Sequence, residues 1–248
     1  MKYIVNKILH AVGLSFVESM KPIAPDMDDA FRTIYAQTRL YTMTSNERMY
    51  ALYKSIEYLS SSHIEGDIVE CGVWRGGSAM ICAYSLLCFQ DSDRNMYLYD
   101  TYKGMTRPTK EDRTAKGNSS AFDIWQKSEK KDKNEWCYAD LTDVKQNLAR
   151  TKYSMDRIKF IEGAVEDTIP KFAPKNIALL RLDTDWYEST KHELEHLFPR
   201  VVKGGVVIID DYGHWRGAKK AVDEYVKKHN LSILLNRIDY SGRLAIKS

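Results

Sequence analysis

The chain has 248 residues, 44% of them hydrophobic and 29% charged, with a formal net charge of +3. Such a chain supports a full apolar core and fits one α/β domain with an appended segment, or at most two small domains. Its mild charge argues against nucleic acid as a partner, since the basic runs at 130–133 and 227–229 form no aromatic-and-basic stripe and read as solvated helix ends.

The N-terminal run MKYIVNKILHAVGLSFV is apolar but interrupted by Asn6, Lys7 and His10. It is too short and too polar to span a bilayer, and it lacks the core and cleavage site of a signal peptide. No stable membrane insertion is expected. As an amphipathic helix it would pack on a partner subunit in a homo-oligomer or lie on a membrane surface, and packing is the preferred reading. The cysteines at 71, 82, 88 and 137 contain no C-x-x-C pair and read as reduced thiols in a cytoplasmic protein.

Thr44-Ser45-Asn46-Glu47 has capping-box spacing, and Met49, Leu52, Tyr53, Ile56 and Leu59 follow at helical period. Residues 1–62 are therefore expected to form a helical extension, and 63–248 the main domain. Strands are expected at 67–73, 96–100, 158–163, 176–183 and 206–211, with helices near 78–88, 141–150, 187–198 and 216–228. Residues 101–120 are polar and rich in turn formers, a long loop of the kind that serves as a lid. SILLNR and RLAIK read as two closing strands joined by a turn at SGR. The alternation predicts a doubly wound, Rossmann-like, mostly parallel seven-stranded sheet with one antiparallel strand near the edge.

Ligands of such sheets bind beyond the carboxyl ends of the strands. The residues there are Glu70, Asp100, Glu162, Asp183, Asp210 and Asp211, all acidic. The first strand runs into Glu70-Cys71-Gly72-Val73-Trp74-Arg75-Gly76-Gly77-Ser78. The G-x-x-x-G-G spacing is not that of a dinucleotide site, and the acid before Gly72 would repel a pyrophosphate. The positively charged amino group and sulfonium of S-adenosylmethionine suit it, and Asp100 is placed to accept from ribose hydroxyls. A connection serving packing alone is the plainer alternative. Parallel neighbours would bring Asp183 beside Asp210 and Asp211, and carboxylates so gathered repel one another unless a cation neutralises them. All-oxygen ligation favours Mg²⁺, Ca²⁺ or Mn²⁺ over zinc; helix or turn capping by Asp185 or Asp210 is the alternative.

Residues 192–196 read HELEH, a literal match to the H-E-x-x-H zinc signature. At 100° per residue, Tyr187, Thr190, Leu194, Leu197 and Phe198 form the buried stripe, which leaves His192 and His196 facing solvent beside Glu188. Pro199 ends the helix at once. Zinc hydrolysis is disfavoured, and the match reads as accidental.

DIVECGVWRGGS, YLYDTYKGM, LLRLDTDWYEST and GGVVIIDDYGHWRGAKKAVDEY, in this order over about 38–230, resemble the macrocin O-methyltransferase (TylF/MycF-like) family. The resemblance implies a Mg²⁺- and S-adenosylmethionine-dependent enzyme that methylates a sugar hydroxyl. It implies that Thr42, Met43, Glu70, Gly72 and Trp74 frame the cofactor, that Asp100 and Thr101 hold its ribose, and that Gly163 and Ala164 lie near adenine. Asp183, Asp210 and Asp211 match the family's metal ligands, with Asp183 also the general base; His214 is as well explained by an ordinary loop position as by substrate binding. Residues 1–37 and 101–135 carry no firm match, so the acceptor, a small-molecule glycoside or saccharide, stays unspecified. Methylation of a catechol or another vicinal diol, and a non-catalytic cofactor-binding subunit, are the competing readings.

Overall fold

In the computed structural model, which describes residues 23–248, short β-branched and aromatic runs form one seven-stranded sheet. The N-terminal segment read as a subunit-packing helix lies outside the described residues. Strands β1 (Asp67–Cys71), β2 (Met96–Asp100), β3 (Ile158–Glu162), β4 (Ile177–Leu182) and β5 (Val201–Ile209) are parallel. β7 (Arg243–Ile246) pairs antiparallel with β5 and with the edge strand β6 (Asn236–Arg237). The order β3-β2-β1-β4-β5-β7-β6 reverses between β1 and β4, and the crevice above such a reversal is where α/β sheets bind ligands.

The period-2 alternation of each strand sorts its side chains between two cores. Ile68, Leu98, Leu179 and Ile208 face α1 (Asp29–Thr38), α2 (Asn46–Ser61), α3 (Gly77–Cys88) and α5 (Leu141–Ala149), the last following a short α4 (Ala121–Ser128). Val69, Tyr99, Leu180 and Val207 face α6 (Val165–Thr168), α7 (Tyr187–Leu197) and α8 (Arg216–Lys228). α3 is apolar nearly all round because it packs against both α1 and α2 as well as the sheet, the expected pattern for a covered helix.

Three expectations shift. The cap of α2 is Ser45, whose side chain accepts from Arg48 N–H at 3.2 Å, and not Thr44; Thr44 instead receives a hydrogen bond from Arg181. Of SILLNR only Asn236–Arg237 is a strand, because Leu231, Ile233 and Leu235 lie against the α7–α8 core without joining the ladder. The strand expected at 206–211 runs instead over Val201–Ile209, while the expected loop 101–120 holds no helix or strand and is pinned by bridges pairing Arg113 with Ser120 and Thr114 with Trp215.

Register brings the functional edge level. Glu70 pairs with Arg181 and Arg181 with Ile208, so Gly72, Asp183 and Asp210 emerge side by side. Gly72 has φ +84°, and a Cβ there would stand 2.1 Å from the Asp183 carbonyl oxygen. Gly72→Ala is expected to cost at least about 2 kcal/mol of stability, from left-handed strain plus overpacking, measurable by urea unfolding.

Candidate active site

Arg181 is the fifth of the six residues of β4, every one of them buried. A guanidinium there is tolerable only if its donors are paired. Nη1 donates to Glu70 Oε1 at 2.7 Å and sits 2.7 Å from Asp183 Oδ2. Nη2 donates to Asp210 Oδ1 at 2.8 Å. Arg48, near the start of α2, takes the other Asp210 oxygen and donates from Nε to Asp239 Oδ2 at 3.0 Å. Burial alone would lower the Arg48 pKa, but Asp210 and Asp239 outweigh it and raise it.

Against these two cations stand more carboxylates than they neutralise. One ligand atom each of Asp183, Asp210 and Asp211 lies within 4.8 Å of the others, the one group of three or more potential metal ligands among the described residues. Asp211 Oδ2 is buried with no hydrogen-bond partner. Burial, then the charges of Asp185 and Asp210, push the Asp211 carboxyl up. Burial likewise raises Asp183, against the pull of Arg181 and helped by Asp210 and Asp211. An orphaned buried oxygen in an excess of hard oxygen donors fits a divalent cation such as Mg²⁺. Asp185 faces the same cavity from a left-handed backbone, φ 68°. Burial, then the Asp183 charge, raise its carboxyl to about 7, and side-chain hydrogen bonds with Asp211 and Trp215 oppose that rise.

The cavity above these acids measures ≈ 300 Å³. Thr42, Met43, Gly72, Trp74 and Asp100 line it as the sequence suggests, together with Asp183, Asp210, Asp211 and His214. Thr101, Gly163 and Ala164 line an adjoining recess that shares Gly72 and Asp100 with the cavity. Asp100 also organises the turn after β1, accepting the N–H groups of Val73 at 2.7 Å, Trp74 at 3.0 Å and, across from them, Tyr102 at 2.7 Å. Glu70 differs: it is buried beneath the cavity as a partner of Arg181. Burial raises its carboxyl to about 7 although Arg181 opposes this.

The same cavity has an aromatic wall that no motif announces. Trp136, Trp186 and Trp215 meet edge to face with centroids 5.1–6.1 Å apart. Trp136 and Trp215 reach the cavity beside Met105, Tyr240 and His214, whose Nδ1 is 3.2 Å from Tyr240 Oη. Burial and Arg48 lower the His214 pKa, favouring a neutral ring. Arg181 did leave a trace in the sequence, since a charge within a fully apolar strand demands buried partners.

HELEH does not assemble a metal site. The rings of His192 and His196 meet at a tilt of 57° with centroids 4.4 Å apart, and His192 Nε2 is 3.0 Å from the Ile169 carbonyl oxygen. They are thus half-buried, not fully solvated, and Tyr187 is only half-buried, its hydroxyl donating to Glu224. The fully buried member is Glu193, which helical period had not assigned to the core.

A doubly wound sheet of order 3-2-1-4-5-7-6, with a glycine turn after β1 and acids along its carboxyl edge, defines a Rossmann-like S-adenosylmethionine-dependent methyltransferase. Residues 24–245 match the model of the family described as macrocin-O-methyltransferase (TylF). The chain belongs to that family and is an O-methyltransferase. It is 32% identical over 202 residues to the 8-demethyl-8-(2,3-dimethoxy-alpha-L-rhamnosyl)-tetracenomycin-C 4'-O-methyltransferase of Streptomyces olivaceus, covering 82% of this chain and 74% of that one. It is 29% identical over 244 residues to the mycinamicin III 3''-O-methyltransferase of Micromonospora griseorubida, covering 97% and 89%. The structure of the O-methyltransferase NovP superposes with a TM-score of 0.72 at 28% identity, covering 84% of this chain and 82% of that one. No helix among the described residues is long and apolar enough to cross a membrane.

Two outcomes test this electrostatic description. Arg181→Met should destabilise the fold by about 3–5 kcal/mol at neutral pH, because Glu70, Asp183 and Asp210 lose a shared buried counter-charge; chemical denaturation measures it. Burial also holds the Glu193 carboxyl well above its ordinary range. The folded state therefore keeps a proton that the unfolded chain releases, so stability falls as pH rises from about 4.5 toward the folded value. Glu193→Gln should raise the melting temperature at pH 8 and leave it unchanged at pH 4.

Proposed function

We propose that this O-methyltransferase transfers the methyl group of S-adenosylmethionine to a hydroxyl of a sugar carried by a small glycosylated molecule, with a divalent cation, Mg²⁺, at Asp183, Asp210 and Asp211. What carries the reading is the meeting, in one cavity, of a cofactor-type glycine turn, an under-neutralised acid trio and an aromatic wall. The name of the tetracenomycin-C relative, whose substrate carries a rhamnosyl group, supports a sugar as the acceptor.

Gly72, Trp74 and Asp100, with Thr42 and Met43 over them, form the donor end; Thr101, Gly163 and Ala164 continue it into the adjoining recess. Trp136, Trp215 and Tyr240 form the acceptor end, where aromatic faces would pack against the apolar C–H face of a sugar ring. When bound, the cation would acidify an acceptor hydroxyl and S-adenosylmethionine would supply an activated methyl group. Asp185 is placed to take the hydroxyl proton. It faces the cavity clear of the arginines, whereas Asp183 sits 2.7 Å from Arg181 Nη1 and is the better fixed ligand. We therefore assign the base to Asp185 in preference to Asp183. The 101–120 segment, held by its bridges to Ser120 and Trp215, closes one side of the cavity through Gly104 and Met105 and limits water there. The protein's contribution is alignment of acceptor oxygen and methyl carbon.

Chelator-treated protein should lose methylation of a rhamnoside acceptor and recover it with added Mg²⁺, read by mass spectrometry of the product. Asp211→Asn should lower the rate about 100-fold or more while S-adenosylhomocysteine still binds. Equal rates with and without the cation would refute the metal assignment, and a catechol methylated faster than any glycoside would refute the acceptor class.

A further inference from the structure

The first glutamate of HELEH, Glu193, has a place that neither the zinc pattern nor the core requires. Glu193 is 0% exposed. Its Oε1 accepts from Thr184 Oγ1 at 2.9 Å, and its Oε2 has no hydrogen-bond partner among the described residues. A carboxyl buried with so little compensation is costly to keep. Thr184 is the middle residue of Asp183-Thr184-Asp185, the turn that carries a metal ligand on one side and the assigned base on the other.

The rest of that turn is held along its backbone and through its flanking carboxylates. Asp183 N–H donates to the Cys71 carbonyl at 2.9 Å, and Trp186 N–H donates to the Thr184 carbonyl at 2.8 Å. Ser189 Oγ lies within hydrogen-bond distance of the Trp186 carbonyl, 3.2 Å, and of the Thr184 carbonyl, 3.4 Å. Arg181 pairs with Asp183 at 2.7 Å. None of these contacts holds the Thr184 side chain, which precedes the left-handed Asp185. A non-glycine residue in that region stays there only when its surroundings over-determine it. The Thr184–Glu193 bond is what holds the Thr184 hydroxyl, and it is anchored in α7, a helix packed on the sheet.

We propose that Glu193 is a positioning residue for methyl transfer: by holding the Thr184 hydroxyl from below, it fixes the Asp183–Asp185 turn so that both carboxylates face the cavity. The inference rests on the roles given above to Asp183 and Asp185. It needs an acceptor at residue 193 and not a charge, so an amide serves as well as a carboxyl.

The test uses the full chain with Thr184→Val, Thr184→Ser, Glu193→Ala and Glu193→Gln. Three readouts are compared: kcat and KM on a glycoside acceptor, Mn²⁺ affinity by electron paramagnetic resonance, and S-adenosylhomocysteine affinity by calorimetry. Thr184→Val and Glu193→Ala should lower kcat and Mn²⁺ affinity by about 10–100-fold with cofactor affinity unchanged, as for other residues that orient metal ligands. Thr184→Ser and Glu193→Gln should restore both. Thr184→Val stands in for Glu193→Ala if the latter does not fold. Wild-type behaviour of Thr184→Val, or failure of Glu193→Gln to rescue, would overturn the positioning role alone. Cofactor affinity falling in parallel with the rest would also overturn it, as a sign of general loss of structure. Wild-type protein that binds no Mn²⁺ would instead overturn the acid-trio reading, and this inference with it.

Discussion

A single buried guanidinium makes the carboxyl edge of this sheet possible. Arg181 touches Glu70, Asp183 and Asp210 at 2.7–2.8 Å from within a strand that is otherwise apolar. Without it, carboxylates brought together by strand register would repel one another across a poorly solvated space. With it they converge, but their charge is only partly cancelled. The surplus lies on the side of Asp211 and Asp185, the side open to the cavity, which is where a hard cation would add the missing charge.

Arg48 extends the same logic outward. It joins Asp210 to Asp239, and Asp239 also accepts from the helix-capping Ser45 at 2.7 Å and from the N–H groups of Ser241 and Gly242. The segment after α1, the start of α2 and the loop before β7 are thus tied to a residue of the acid trio. The cavity wall is drawn from distant parts of the chain, yet its charged floor is one connected network. The proposed donor and acceptor ends differ by their chemistry. Gly72 allows close approach at the proposed donor end, and Trp136, Trp215 and Tyr240 would offer the proposed acceptor end a surface suited to a ring with an apolar face.

Glu193 shows how little a short pattern says when its setting is ignored. His192, Glu193 and His196 satisfy a zinc motif letter by letter. The helix nevertheless turns the histidines outward onto each other and the glutamate inward under Thr184. What a side chain does is decided by the surface it meets. Here that surface is the underside of the Asp183–Asp185 turn.

The sequence by itself determined the alternation of strands and helices, the glycine turn at Gly72 and the row of acids ending the strands. Hydrophobic period and local turn chemistry act over a few residues and leave a readable mark. It also carried the convergence of Asp183 with Asp210 and Asp211, because parallel neighbours in a doubly wound sheet have little freedom of register. The tertiary structure alone decided that Glu70 turns to Arg181, that Asp185 joins the cavity through a left-handed backbone, and that tryptophans 136 and 215, far apart in sequence, share one wall. Those outcomes depend on side chains meeting across elements, through contacts whose partners lie too far along the chain for any local pattern to encode.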